Sequence, residues 1–137
     1  VSGPTNLEAV NRAFAAWNSG DLEAFLDTVH PDIVFEPSGL FPDLITRYEG
    51  HDGVREFWRH FVGPWESMRM EFTDVRELGD DEVVARVLFR GRGRGGIEVE
   101  QDFGQHYEIE DGLLYRMRSY PTWEEALVAA GAAEAES

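Results

Sequence analysis

The chain contains no cysteine, and all 12 of its basic residues are arginine, so lysine is absent as well. The first absence removes thiol nucleophiles, disulfides, Cys-ligated zinc and iron–sulfur clusters, and the second removes Schiff-base and P-loop lysines. Carboxylate, histidine, hydroxyl and aromatic chemistry remain. No apolar run approaches the roughly 20 residues of a membrane helix, and Val1-Ser2-Gly3-Pro4-Thr5 has neither the basic nor the apolar region of a signal peptide. A cytoplasmic protein with no membrane partner is the expectation. Positive charge is scarce too: 27 acidic residues bring the formal net charge to −15 and the pI to about 4.5. Such a chain repels a phosphate backbone at long range, so no nucleic-acid partner is expected.

The 137 residues, 42% of them hydrophobic, suffice for a single domain over 1–137 with its core between about residues 6 and 131. Thr5-Asn6-Leu7-Glu8 reads as a capping box, and Leu7, Val10, Phe14 and Trp17 follow at helical spacing until Asn18-Ser19-Gly20 stops them. Asp21 caps a second helix with the stripe Leu22, Phe25, Leu26 and Val29, ended by His30-Pro31 because proline disfavours helix in the preceding residue. A short β-rich segment, Asp32 to Glu36, closes at Pro37. A long loop from Ser38 to Gly50 follows, of a length that commonly serves as a pocket rim. Asp52 can cap a third helix presenting Val54, Phe57, Trp58, Phe61 and Val62, broken at Gly63-Pro64.

The period then changes to two. Strands are predicted at Met68 to Leu78, Glu82 to Arg90, Ile97 to Ile109 and Leu113 to Tyr120, joined as hairpins, with a capping box at Thr122-Trp123-Glu124-Glu125 opening a terminal helix. Within Ile97 to Ile109 the odd positions are mostly apolar and the even positions mostly acidic, which predicts one face on the core and one in solvent. Gln101 and Gln105 interrupt the apolar face. A buried amide left unpaired costs roughly 1–3 kcal/mol, so each needs a core partner, ordered water or a ligand.

Four segments carry a family resemblance: Asn18-Ser19-Gly20-Asp21-Leu22-Glu23-Ala24, His30 to Pro37, Gly50-His51-Asp52-Gly53-Val54-Arg55-Glu56-Phe57-Trp58, and Asp111-Gly112-Leu113-Leu114. Together they resemble the SnoaL-like branch of the nuclear transport factor 2-like (NTF2-like) superfamily from about Leu7 to Gly131. The resemblance implies an α+β cone in which a curved antiparallel sheet wraps three N-terminal helices, with a pocket between them. It leaves the activity open, because the superfamily holds isomerases, polyketide cyclases, hydrolases, dehydratases and binding proteins. Laid on the bacterial ketosteroid isomerases, it puts Glu36 where their proton-shuttling carboxylate lies. Their oxyanion-hole tyrosine falls on Ala13 and their protonated aspartic acid on Gln105. The cyclases' late-strand acid has its nearest counterpart in Asp102, which the alternation points away from the core.

Glu36 is therefore the first catalytic candidate: a carboxylate between Phe35 and Pro37 at the inner end of a strand would lose solvation and shift toward acid–base work. Gln105 is its orienting donor and Asp32 a second-rank acid. Trp17, Val34, Trp58, Phe61, Phe89, Gln101, Phe103 and Tyr120 are the expected ligand-binding residues, since aromatics with a few polar groups line apolar pockets. His30, His51, His60 and His106 show no metal-ligand spacing, so no metal or other cofactor is expected, with His51 and Asp52 the only secondary candidates. Gly91-Arg92-Gly93-Arg94-Gly95-Gly96 fits G-x-G-x-x-G in letters but joins two strands instead of opening a helix, and reads as a hairpin whose arginines meet the acidic strand face. Val84 and Leu88, alternating with Arg86 and Arg90, suit a homodimer contact. Two functions follow as expectations. One is a cofactor-free isomerase- or cyclase-type proton transfer on a small hydrophobic carbonyl compound, and the other is non-catalytic binding of a small hydrophobic molecule.

Overall fold

In a computed structural model, residues 6–37, 47–61, 65–79 and 81–131 are described. Thr5 of the first capping box, most of the long loop, the Gly63-Pro64 break, Asp80 and the Ala/Glu tail lie outside them. The element order is α1 (Asn6–Ser19), α2 (Leu22–Leu26), β1 (Val29–Glu36), β2 (Tyr48–Glu49), α3 (Gly50–Phe61), β3 (Trp65–Leu78), β4 (Glu82–Gly93), β5 (Glu98–Glu110), β6 (Leu113–Tyr120) and α4 (Trp123–Ala129).

Helix α1 buries Ala9, Val10, Ala13, Phe14 and Trp17, one face at the spacing its sequence sets. Its last turn does more than stop: Asn18 Nδ2 donates to the Met70 carbonyl and Asn18 Oδ1 accepts the Met70 N–H, both at 2.9 Å. That paired bond satisfies the backbone of β3, an edge strand, and ties the helix to the sheet. Asp21 caps α2 by accepting the Ala24 N–H at 3.1 Å. The helix ends at Leu26, not at Val29 as the apolar stripe suggested. Val29 instead opens β1, because the Thr28 carbonyl accepts the Leu114 N–H at 3.0 Å and Val29 registers with Leu114 of β6. Asp52 likewise lies within the first turn of α3 and does not cap it.

The six strands form one curved, unclosed sheet in the order β2-β1-β6-β5-β4-β3. Contrary to the all-antiparallel expectation, β1 pairs with β6 in parallel, as a strand reached by a crossover through most of the chain can. The strand β2 lies within what the sequence suggested was loop, and β3 and β4 run three residues further at one end than expected. Asp111 (φ 54°) and Gly112 (φ 76°) supply the two left-handed residues of the β5–β6 hairpin turn.

The inner face of the sheet closes on α1 to α3 in one core that includes Phe35, Phe89, Phe103, Tyr107 and Met117. The outer face carries ion pairs across β4 and β5, Arg86 to Asp102 at 2.9 Å and Arg90 to Glu100 at 3.0 Å, whereas Arg92 of the Gly/Arg stretch lies 3.8 Å from Glu66 of β3 and not against the acidic face of β5. These pairs are exposed, so water and salt screen them and they add little to stability.

The outer face is not uniformly wet. Helix α4 folds back over it, and Trp123, Ala126 and Leu127 cover Val84. Val84, expected at a subunit contact, is thus buried by its own chain. Gly104 and His106, expected in solvent by the alternation, are buried as well. His106 Nε2 lies 2.7 Å from Glu82 Oε1. Ile97, expected on the apolar face, precedes β5 and is 73% exposed. Among the described residues no helix is long and apolar enough to cross a membrane.

Gly104 shows why α4 sits where it does: a Cβ there would stand 2.4 Å from Ala126 Cβ and 3.1 Å from the Thr122 carbonyl oxygen. Gly104→Ala should therefore lower unfolding stability by about 1–3 kcal/mol and red-shift Trp123 emission. Adding Ala126→Gly, which alone costs up to about 1 kcal/mol, should recover part of the loss in urea titrations. Strictly additive losses would show that the two residues do not meet.

Candidate functional site

Between the inner sheet face and the helices lies a cavity. Its helical wall comes from Phe14 and Trp17 of α1, Phe25 of α2, and Phe57 and Phe61 of α3. The sheet contributes Phe35, Met70, Phe103 and Met117, and Pro37 closes one end. Helical and period-two spacing bring these residues together from seven elements, each turning its apolar face inward. The room open to the centre of a water molecule is about 30 Å³, enough for one or two waters. Aromatic contacts hold the walls: Trp17 lies 5.1 Å from Trp58 and 5.4 Å from Phe25 between ring centres, and Phe57 stacks on Phe61 at 5.4 Å.

Only two polar side chains complete the sheet wall, Gln105 of β5 and Ser119 of β6, which register opposite each other. Both are buried. The Tyr107 hydroxyl donates to Gln105 Oε1, and Gln105 Nε2 donates to Ser119 Oγ at 3.0 Å. Burial pushes the Tyr107 phenol well above its ordinary pKa, so it remains a protonated donor. The chain of bonds fixes which end of the Gln105 amide faces which neighbour. On the opposite wall Trp17, 5% exposed, has its Nε1–H buried with no acceptor among the described residues.

Of the residues expected at the site, Trp17, Phe61, Phe103 and Gln105 line this cavity. Trp58 stands behind Trp17, half-buried. Phe89 is fully buried one layer along the sheet, against Phe61 and Trp65, with half-buried Gln101 registered opposite it. Three expected residues lie outside: Val34 and Glu36 on the outer face of β1, and Tyr120 beside α4 on the outer face of β6.

The register gives the reason. Glu36 pairs with Arg118, which pairs with His106, while the neighbouring residues Phe35 and Gln105 face inward. Glu36 Oε1 accepts from Arg118 Nε at 3.0 Å and lies 3.7 Å from Arg116 Nε. That hydrogen bond holds the Arg118 guanidinium above its ordinary pKa. Glu36 and Gln105, expected to act on one molecule, therefore occupy opposite faces of the sheet.

Asp32 is exposed, its backbone N–H donating to His30 Nδ1 at 3.0 Å. His51 Nε2 donates to the Val29 carbonyl at 3.0 Å, pinning the start of α3 to β1, and Asp52 is exposed. No three His, Cys, Asp or Glu residues converge among the described residues. The sequence reading passed over Ser119 and the role of Tyr107. Alternation with Met117 turns Ser119 inward, but only the β5–β6 register shows that it meets Gln105.

Comparison with known proteins agrees with this architecture. TerC, co-crystallised with polyporic acid, is 27% identical with a TM-score of 0.76 over 92% of this chain and 95% of that one. A Mycobacterium tuberculosis protein in complex with estradiol-17beta-hemisuccinate is 19% identical with a TM-score of 0.74, over 85% and 94%. Delta 5-3-ketosteroid isomerase from Mycobacterium sp. is 20% identical with a TM-score of 0.73, over 85% and 93%. The last two likenesses concern the fold alone. No curated protein matches the sequence. The SnoaL-like domain pattern matches residues 10–117, most of the chain, and with the NTF2-like sheet and helices already in view the chain belongs to the SnoaL-like domain family.

Proposed function

We propose that this protein binds a small hydrophobic molecule in the cavity between its sheet and helices. The observation that carries the reading is the wall itself: aromatic and Met side chains around two hydrogen-bonded polar groups, with the Trp17 Nε1–H without an acceptor among the described residues. A buried N–H without a partner costs about 1–3 kcal/mol, which a bound molecule or a water can relieve. TerC co-crystallised with polyporic acid and the mycobacterial protein in complex with estradiol-17beta-hemisuccinate each hold a small molecule. The free space is small, so any ring compound must turn wall side chains aside as it enters, and compact rings are the natural first probes.

Cofactor-free proton transfer of isomerase or cyclase type has less support. A general base must reach the bound molecule within hydrogen-bond distance, and Glu36 is bonded to Arg118 across the sheet from Gln105.

Toluene and indane should each raise the melting temperature saturably and perturb tryptophan emission. Phe103→Trp, which enlarges a wall residue, should abolish both effects while circular dichroism stays native. Absence of any saturable effect, or an unchanged affinity in folded Phe103→Trp, would contradict binding in this cavity. Glu36→Gln should leave indane affinity within about twofold, because that residue lies outside the cavity, and lower stability by about 1 kcal/mol through loss of a half-buried ion pair. A tenfold weaker affinity in the folded variant would place Glu36 in the binding machinery after all.

A further inference from the structure

The polar groups of the cavity hold more hydrogens than they can spend on one another. Gln105 Oε1 already takes the Tyr107 hydroxyl hydrogen, and Ser119 Oγ already takes one from Gln105 Nε2. The Ser119 hydroxyl hydrogen, the second Gln105 Nε2 hydrogen and the Trp17 Nε1 hydrogen have no acceptor among the described residues. Ser119 is 1% exposed, Gln105 4% and Trp17 5%, so bulk water does not reach them. An N–H or O–H without a partner is costlier than an oxygen that already accepts one bond and keeps a spare lone pair. The cavity is thus short of acceptors, on its sheet wall and on its helical wall alike.

Building on the binding function above, we infer that the site selects a neutral ring compound bearing a carbonyl oxygen over the matching alcohol, and that Tyr107 sets this preference as a positioning residue. A carbonyl brings two lone pairs and no hydrogen, so it can accept from Ser119 and Gln105 together or from Trp17. An alcohol adds a hydrogen of its own to a site already rich in them, and that hydrogen competes for the one lone pair that Ser119 Oγ or Gln105 Oε1 keeps. A hydrocarbon brings nothing to the stranded hydrogens. No cationic side chain lines the wall among the described residues, and the chain carries a net charge of −15, so a carboxylate has no partner there. Tyr107 does not line the cavity, yet its hydroxyl occupies Gln105 Oε1 and so keeps the amide nitrogen turned toward Ser119. Without that hydroxyl the amide can turn over, Oε1 can take the Ser119 hydrogen, and the donor surplus on the sheet wall falls.

The test is calorimetric titration of the full chain with 1-indanone, 1-indanol and indane, which share one ring skeleton. The native protein should bind the ketone about tenfold more tightly than the alcohol, the factor expected when one buried hydrogen goes unpaired. Tyr107→Phe should shrink that ratio to within about threefold while leaving indane affinity unchanged, a split that a general loss of packing would not give. Ser119→Ala leaves both Gln105 Nε2 hydrogens free while Tyr107 still holds Oε1, so it should keep the ketone preference, and it decides the matter if Tyr107→Phe does not fold. Equal affinity for ketone and alcohol in the native protein overturns the selectivity and leaves cavity binding intact. A ratio unchanged in folded Tyr107→Phe, or lost in folded Ser119→Ala, overturns the relay. If none of the three compounds binds, the binding function fails and the selectivity falls with it.

Discussion

Strands β4, β5 and β6 each have one face that must leave water and one that need not, and the alternation of their residues decides which is which. Burying Phe89, Phe103 and Tyr107 inward is worth about 1.5–3 kcal/mol for each side chain of this size. The outward ion pairs, such as Arg86 with Asp102 and Arg90 with Glu100, are exposed and screened by water and salt, and so weigh less. The inner face therefore sets where the sheet lies, and α1, α2 and α3 pack where its apolar surface is. The outer pairs follow from the register and help to hold it. The cavity lies on the face that hydrophobic burial created, while Glu36, Glu100 and Asp102 meet arginines on the other.

One polar group crosses the division. Gln105 is an amide on the apolar face, and it is tolerated there because Tyr107 and Ser119 engage both its ends. The same bonds give the cavity its chemical character: with the amide held in one orientation, the sheet wall offers hydrogens to whatever enters. Trp17, from the opposite wall, offers another. On the binding function proposed above, such a wall suits a neutral molecule with an oxygen placed to accept those hydrogens. It has no need of lysine or thiol chemistry, and the two absences that open the sequence are consistent with what the site does.

Much of the fold was legible in the residues. The helical stripe ending in Trp17, the Asp21 cap, the Asp111-Gly112 turn and the capping box at Thr122 all depend on local chemistry and appear where local chemistry puts them. The errors share a cause, which is tertiary pairing that no local pattern encodes. Val29 fits a helical stripe with Leu26 but is drawn into β1 by β6. Gly104 and His106 sit at outward positions of β5 but lose their solvent because α4 returns over that face. Glu36 is the instructive case at the site. Its place at a strand end drew attention to it, yet its alternation with buried Phe35 already turned it away from the core, and the arginines that hold it outward lie some eighty residues along the chain in β6. Ser119 was overlooked because a lone serine between Met117 and Tyr120 acquires meaning only through the register that sets it opposite Gln105.

The most direct measurement is the indole N–H region of a ¹H–¹⁵N spectrum, in which the four tryptophans report from different places. Trp17 lines the cavity and Trp123 belongs to α4 on the outer face. Titration with 1-indanone should shift the Trp17 indole resonance progressively, because Trp17 lines the cavity the ketone enters, and leave that of Trp123 in place. A response confined to Trp123, or a Trp17 resonance that does not move while the ketone binds, would contradict a ligand site between the sheet and the helices.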